Sequence, residues 1–315
     1  MRQSSWQRPG SGRVHPRDTF VRMRATVSHA LDRSRPPVLS TTRDRAYPRS
    51  HAPGEWLRMN RTPRLRVGQY AGQLRGAAGL TRSLAIYYGM PWRARALRRF
   101  YRGIIGPGDL AFDIGAHVGN RTRALRAVGA RVVAVEPQAL FHRWLAATLP
   151  RDVVLQRMAI GATAGELELA VSRRHPTVST GSADWRGHVV DDPTFTGVEW
   201  DTTETVEQTT LDALIAIHGQ PRFCKIDVEG MEPEVLAGLS QPVPWIAIEY
   251  VPAALDRARA CLDRLAALGD CRINAVRGEA SRFAWDEWLP PHAAAERLAG
   301  MAADGHPGDL YARFV

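Results

Sequence analysis

One acidic residue, two glycines and a histidine alternate with apolar residues in the run from Asp113 through Gly115, His117 and Gly119 to Asn120. The run follows a short apolar stretch and precedes a helical pattern, which is the position where α/β sheets bind nucleotide-like ligands. A glycine here lets the backbone turn sharply against the ligand. His117 stands where the G-x-G-x-x-G fingerprint of dinucleotide sites has its second glycine, and an imidazole there obstructs a pyrophosphate. The loop therefore favours a ligand without phosphates.

The ligand that fits these residues is S-adenosylmethionine, which carries an adenosyl group, a sulfonium and an ammonium but no phosphate. The carboxylate of Asp113 suits the positively charged groups. Glu136 ends the next apolar run, 21 residues after Gly115, where a carboxylate can accept hydrogen bonds from both ribose hydroxyls. We therefore predict S-adenosylmethionine as the cofactor. Its predicted binding residues are Asp113, Gly115, His117, Gly119, Asn120 and Glu136.

A second charged run, from Lys225 through Asp227 to Glu229, ends another buried stretch. Active-site groups gather at the carboxyl ends of parallel strands. Lys225 is the only lysine among the 42 lysines and arginines of the chain, which indicates either a site that needs a compact cation or a chance survival. Alternation along the strand places the three charged side chains on one side, so that the ammonium can keep Asp227 ionised.

Apolar runs without polar alternation recur at Leu110–Ile114, Val132–Val135, Val153–Met158, Phe223–Val228 and Ile246–Ile248. Such runs are typical of parallel strands that are covered on both faces. Helical patterns lie between them at Arg121–Val128, Leu140–Leu149, Leu211–His218, Pro233–Leu239 and Ala253–Leu268, and further strands are predicted at Glu166–Val171, Arg272–Val276 and Leu310–Val315. The sequence thus predicts a Rossmann-like α/β fold: a mostly parallel seven-stranded sheet with helices on both faces.

The chain divides into segments of different composition. Its formal net charge is +10, and the first 105 residues hold 22 basic and 4 acidic side chains. Residues 1–58 lack any apolar period and are predicted to be a disordered basic leader, or else an artefact of start-codon assignment, because composition changes at Met59. Residues 59–104 are predicted to be a basic helical segment. Residues 105–315 are predicted to form the catalytic domain, with a polar insertion at about 172–208 that either covers the substrate or is a long loop.

The basic front of the chain can contact nucleic acid, anionic lipid or an acidic partner, or it can simply be solvated. We expect no specific nucleic-acid binding. No apolar window is long enough for a membrane span, and no secretory signal precedes the domain. The cysteines form no C-x-x-C pair, which is typical of a reducing compartment, so we predict a cytoplasmic protein without a membrane span.

Four sequence segments follow one another over roughly residues 105–251, namely DIGAHVGN, VVAVEP, TTLDAL and CKIDVEGMEPEVLAG. In sequence and in order they resemble the FkbM family of methyltransferases. The resemblance implies a class I methyltransferase fold, S-adenosylmethionine as cofactor, and O-methylation of a sugar, glycan or natural-product hydroxyl. It also implies that Asp113, Gly115 and Gly119 form the cofactor loop, that Glu136 binds ribose, and that Asp227 and Glu229 lie at the end of the fourth strand. The first 80 residues have no counterpart in this pattern, and no [D/N]PP[Y/F] sequence follows that strand, which argues against methylation of a base amine.

An alcohol hydroxyl is a poor nucleophile until its proton is removed or shared. Asp227 is our first candidate for the general base, and Glu229 and Lys225 complete the predicted catalytic set. Weaker candidates are Glu249 and His117, and, from the polar insertion, His175 and His188.

Asp227, Glu229 and Glu249 can alternatively hold a divalent cation through oxygen ligands, but they form no recognised motif, and we predict no metal. Two other functions remain open at this point. One is a catalytically silent cofactor-binding module that acts as an interaction protein, and the other is an NAD-linked oxidoreductase, which His117 disfavours. The residues leave the acceptor and the oligomeric state unspecified.

Overall fold

The computed structural model of the protein describes residues 79–190, 192 and 195–315. The predicted disordered leader, residues 1–58, lies outside these residues, as does the predicted helical segment up to residue 78. None of the helices in the described residues has the length and apolar composition that a bilayer span requires.

Strands and helices alternate along most of the described chain. The strands are β1 (Leu110–Ile114), β2 (Arg131–Val135), β3 (Val154–Gln156), β4 (Ala159–Ile160), β5 (Gly165–Val171), β6 (Thr202–Thr209), β7 (Phe223–Ile226), β8 (Trp245–Tyr250), β9 (Cys271–Arg277) and β10 (Gly308–Phe314). The helices are α1 (residues 79–88), α2 (Pro91–Tyr101), α3 (Asn120–Val128), α4 (Ala139–Thr148), α5 (Ala183–Val189), α6 (Leu211–His218), α7 (Glu232–Ala237), α8 (Leu255–Leu268) and α9 (Pro291–Ala302). Short 3-10 turns occupy Pro176–Val178 and Pro252–Ala254.

The main sheet has seven strands in the order β3-β2-β1-β7-β8-β10-β9. The pairs β3-β2, β2-β1, β1-β7 and β7-β8 are parallel, whereas β10 runs antiparallel to both β8 and β9. The predicted fold class, a mostly parallel seven-stranded Rossmann-like sheet, is confirmed. The chain leaves β1 toward β2 and β3 on one side and later returns to β7 and β8 on the other. This reversal is the crevice where such sheets bind ligands.

Helices cover both faces of the sheet. One face buries Phe112 and Ile114 of β1 against the apolar sides of α6, α7, α8 and α9. The other face buries Ala111 of β1 against α3, with Tyr101 of α2 and Leu145 of α4 in the same cluster. Because strand residues alternate between the faces, each central strand contributes to two cores, which explains its continuous apolar sequence.

Two helices begin where a side chain satisfies a free backbone donor. The hydroxyl of Thr210 accepts a hydrogen bond from the backbone N–H of Ala213 at 3.1 Å and caps α6. Ser182 accepts one from Trp185 at 3.1 Å and caps α5. Such caps each stabilise a helix by about 1 kcal/mol.

A second, three-stranded sheet has the order β4-β6-β5. The strand predicted at Glu166–Val171 belongs to this sheet as part of β5, where it pairs antiparallel with β6. The segment predicted as a polar insertion, about 172–208, contains a 3-10 turn, α5 and most of β6. Polar alternation along β6 agrees with its exposure on one side.

The predicted strand Phe223–Val228 is wrong at its end, because β7 stops at Ile226. The N–H of Asp227 still donates to the carbonyl of Ile114, at 2.9 Å. The next N–H, that of Val228, instead donates to the carboxylate of Glu232 at 2.9 Å. The charged run therefore leaves the strand at Asp227, and Glu229 belongs to a loop rather than to the alternating face of a strand.

Candidate active site

A cavity of about 290 Å³ opens at the carboxyl ends of β1, β2 and β7. Its walls include five of the predicted cofactor-binding residues, namely Asp113, Gly115, His117, Asn120 and Glu136. Its size is at the lower end of the range for small-molecule sites. The cavity therefore lies where the reversal of strand order places a ligand site.

The predicted catalytic residues divide between the cavity and the protein interior. Asp227 and Glu229 line the cavity, but Lys225 is 0% exposed and lies behind them. His175 and His188, the weaker base candidates from the insertion, do not line it. That segment instead contributes Pro176, Thr177, Ser179 and Gly181 to the wall.

Gly115 is required by the fold as well as by a ligand. Its φ is +82°, in the left-handed region that favours glycine. A Cβ at this position would lie 1.8 Å from the backbone oxygen of Asp227. The cofactor loop and the loop after β7 therefore touch backbone to backbone, and any side chain at residue 115 would push them apart.

Glu136 is held by the backbone of the cofactor loop. It is 5% exposed, and its carboxylate accepts hydrogen bonds from the N–H of His117 at 2.7 Å and of Gln138 at 2.9 Å. Burial raises the pKa of Glu136 to about 7, although both hydrogen bonds oppose the shift. Each oxygen keeps a lone pair beyond these bonds, so the carboxylate can still accept from a diol in the cavity.

His117 adopts the left-handed conformation expected of the glycine that it replaces, with φ of 50°. Its ring meets Phe141 and Tyr87 edge to face, with centroid distances of 4.2 and 5.4 Å. Burial lowers its pKa to about 4, so the imidazole is neutral near pH 7. Its Nε2 is buried without a hydrogen-bond partner among the described residues, which leaves one polar atom for a ligand in a largely aromatic wall.

Asp113 is 1% exposed and accepts a hydrogen bond from the hydroxyl of Thr122 in α3. Burial raises the pKa of this carboxyl, and the hydrogen bond from Thr122 opposes the rise. Asp113 therefore joins the end of β1 to α3 while it contributes to the cavity wall. Gly119 lies behind the wall as the residue before α3.

Lys225 binds two carboxylates inside the protein. Its ammonium lies 3.1 Å from Asp227 and 3.0 Å from Asp309. Burial favours the neutral amine, but both carboxylates reverse that effect and raise the pKa of Lys225 above its usual value. Asp227 is 28% exposed toward the cavity. Burial opposes its ionisation, but Lys225 and then Arg121 hold the pKa of Asp227 below its usual value.

Asp309 extends the charge network to α3. It is 3% exposed at the start of β10, and the guanidinium of Arg121 lies 3.3 Å from it and 3.7 Å from Glu279. Sequence analysis did not identify Asp309, Arg121 or Glu279 as part of the site. Arg121 did carry a signal, because an arginine in the first turn of a helix opposes the helix dipole and needs an acidic partner. Asp309 gave no such signal, since its neighbours are set by the insertion of β10 into the sheet.

Three carboxyl groups converge at the cavity. Oxygen atoms of Asp227, Glu229 and Glu249 all lie within 4.8 Å of one another. Burial, and then the charge of Asp227, raise the pKa of Glu229 and of Glu249 well above the usual value. The group therefore combines a carboxyl whose ionisation is favoured with two whose ionisation is opposed, or it offers three oxygen ligands to a hard cation.

Helix α1 supplies a further wall of the cavity, which sequence analysis did not foresee. Tyr87 lines the cavity, and burial raises its pKa, so its hydroxyl stays protonated. The hydroxyl of Tyr88 donates to the carbonyl of Val118 at 2.9 Å and accepts from Arg123 at 3.0 Å. These bonds fasten α1 to the cofactor loop and to α3.

The arrangement of this cavity agrees with a comparison of the sequence with protein families. The model of the FkbM methyltransferase domain matches residues 113–299. The chain belongs to the FkbM methyltransferase family. It is an S-adenosylmethionine-dependent methyltransferase, and the NAD-linked alternative is set aside. A comparison with curated proteins finds no match.

Solved structures with similarity to this FkbM family member include three methyltransferases. Precorrin-6y C5,15-methyltransferase from Geobacter metallireducens is 15% identical, with a TM-score of 0.35 over 71% of this chain and 86% of that one. The O-methyltransferase from Bacillus cereus in complex with SAH is 13% identical, with a TM-score of 0.39 over 76% and 91%. The SAM-dependent O-methyltransferase from Thermotoga maritima is 14% identical, with a TM-score of 0.35 over 69% and 64%. At these similarities the structures say nothing about the acceptor.

Proposed function

We propose that this FkbM methyltransferase methylates an alcohol hydroxyl of a sugar, glycan or natural product, with Asp227 as the general base. The observation that carries the proposal is the state of Asp227, a carboxylate that faces the cavity while Lys225 holds it ionised from behind. A base must be deprotonated and within reach of the acceptor before the reaction. Lys225 is a positioning residue in this scheme, because it acts only through Asp227.

The neighbouring acids favour a neutral, hydroxyl-bearing acceptor. Glu229 and Glu249 lie beside Asp227, and burial and the charge of Asp227 raise their pKa values, which favours the protonated form that donates as well as accepts hydrogen bonds. A polyol offers both kinds of partner at short spacing. An anionic acceptor would be repelled by Asp227, so phosphorylated and carboxylate acceptors are disfavoured.

The cavity fits S-adenosylmethionine at several points. Glu136 has acceptor capacity for the ribose hydroxyls, Asp113 suits the ammonium group, and the buried, unpartnered Nε2 of His117 offers a polar contact. When bound, the cofactor supplies an electrophilic methyl group on a sulfonium. The chain must then hold the acceptor oxygen in line with that group and exclude water.

The residues around Asp227 divide this work. Asp227 takes the proton from the hydroxyl that is methylated, and Lys225 stabilises the ionised carboxylate before that transfer. Tyr87 and Thr177 bring α1 and the 172–208 segment to the cavity, which supports a substrate-covering role for that segment. The division into an N-terminal helical segment and a catalytic domain from residue 105 stays a prediction, although Tyr87 of that segment lines the cavity.

Methyl transfer from labelled S-adenosylmethionine to a panel of sugars, glycans and polyketide alcohols tests the proposal. Asp227→Asn should lower kcat by roughly 10²–10⁴-fold while the affinity for S-adenosylhomocysteine stays unchanged. Asp263→Asn, at an exposed position on α8, is the matched control and should behave like the wild type. Wild-type turnover by folded Asp227→Asn would refute the catalytic assignment. Cofactor binding without turnover on any acceptor would favour the silent module instead.

A further inference from the structure

Helix α2 presents a stripe of basic residues that starts with a tryptophan. Trp92, Arg95, Arg99 and Arg102 are exposed and follow one another at intervals of three, four and three residues. Residues at these intervals lie on one face of a helix. Trp92 is 64% exposed, and none of the four side chains makes a hydrogen bond or ion pair with the described residues.

The opposite face of α2 fixes the orientation of this stripe. Tyr101 is 0% exposed, and Leu97 and Phe100 pack against the same apolar cluster of the sheet. Phe100 also meets Phe283 and Tyr311 edge to face, at centroid distances of 5.0 and 5.4 Å. Rotation of the helix to bury Trp92 would expose these aromatic side chains, so the packing keeps the stripe on the outer face of α2.

The end of α1 adds an exposed apolar side chain that is close to the stripe in sequence. Ile86 is 44% exposed and precedes Trp92 by one helical turn and a short connection. Residues 79–105 contain six arginines and no acidic residue. The domain that follows has an excess of acidic over basic residues, so residues 79–105 are the basic part of the described chain. The segment also lies before the part of the chain that the family model matches.

We infer that Trp92, Ile86, Arg95, Arg99 and Arg102 form a docking surface for an anionic lipid bilayer. Arginines attract anionic headgroups, while an exposed tryptophan and an aliphatic side chain insert at the headgroup boundary. A single-stranded nucleic acid could also bind the arginines and stack a base on Trp92, but such binding does not involve an exposed aliphatic side chain such as Ile86. The surface is independent of the methyl-transfer reaction.

Co-sedimentation of the full chain with vesicles tests this surface. The vesicles contain phosphatidylcholine alone or phosphatidylcholine with about one third phosphatidylglycerol, which gives a negative surface potential. The triple variant Arg95→Gln, Arg99→Gln, Arg102→Gln should lower binding to the anionic vesicles by about tenfold or more. Its matched control neutralises three exposed arginines elsewhere, Arg143→Gln, Arg259→Gln and Arg297→Gln, and should bind like the wild type.

A second pair of variants separates insertion from charge attraction. Trp92→Ser should weaken binding to anionic vesicles by about tenfold, whereas Ile217→Ser, at a 73% exposed position on α6, should have no effect. Unchanged melting temperatures establish that all variants are folded. Equal losses in the stripe and control triple variants would reduce the effect to net charge and overturn the inference. Absence of wild-type binding to anionic vesicles, or a stripe that affects binding of single-stranded RNA but not of vesicles, would overturn it as well.

Discussion

The affinity for S-adenosylhomocysteine should fall steeply below pH 7, because the ribose-binding carboxylate titrates there. Burial raises the pKa of Glu136 to about 7, and the ionised form accepts hydrogen bonds more strongly than the neutral acid. A pKa of about 7 means that about 90% of the free protein is ionised at pH 8 but only about 3% at pH 5.5. If only the ionised form binds, the dissociation constant rises about 30-fold between these pH values. Residual binding to the neutral acid would bring the rise closer to about tenfold.

Isothermal titration calorimetry of S-adenosylhomocysteine between pH 8 and pH 5.5 measures this dependence. Glu136→Gln cannot ionise, so it should bind weakly and with little change over the range. Glu232→Gln is the matched control. Burial also raises the pKa of Glu232 to about 7, but this residue does not line the cavity. The variant should therefore show the wild-type dependence of the dissociation constant on pH. A flat wild-type profile, or the wild-type slope in Glu136→Gln, would refute the assignment of ribose binding to this carboxylate.

Three further predictions concern the packing of the site. In a denaturant titration, Gly115→Ala should lower the free energy of unfolding by more than about 2 kcal/mol, because residue 115 has a positive φ and its Cβ would lie 1.8 Å from the backbone oxygen of Asp227. The control Gly187→Ala, in open space on α5, should be neutral or stabilising. Lys225→Met should lower the free energy of unfolding by about 3–5 kcal/mol, because it leaves Asp227 and Asp309 without their shared cation, and a melting temperature within a degree of the wild type would contradict the network. Tyr88→Phe removes the hydrogen bond to Val118 and should speed dissociation of S-adenosylhomocysteine in stopped-flow experiments about fivefold, and an unchanged rate would show that α1 does not hold the cofactor loop.

The cofactor side of the cavity could be predicted because its parts are close in sequence. Asp113 and Glu136 end consecutive strands, and each strand is a short apolar run followed by a helical pattern. Parallel neighbours bring their carboxyl ends together, so the order of elements suffices to place both carboxylates at one crevice. The assignment of individual contacts to the ligand remains a prediction.

The acceptor side could be predicted only in part. Asp227 was found because it ends a buried strand, but Asp309 depends on an antiparallel strand inserted between β8 and β9, a pairing that local sequence does not specify. Tyr87 lies on a helix whose apolar pattern indicates that the helix packs against another part of the protein, but the pattern does not identify that part. The loop after β7 was not predicted, because the strand pattern was extended past Ile226. Beyond this residue the N–H of Val228 donates to the side chain of Glu232 instead of to the neighbouring strand.

Because the ion pair between Lys225 and Asp309 joins strands that are far apart in sequence, we expect the contacts on the two sides of the cavity to form at different stages of folding. The contacts around Glu136 join neighbouring strand-helix units, whose short loops close quickly. Lys225 acquires its second carboxylate, that of Asp309, only after β10 has entered the sheet between β8 and β9, which closes a long stretch of chain. The cofactor side of the cavity is therefore completed by contacts within neighbouring units, whereas the charge network behind Asp227 is complete only when β10 is in place.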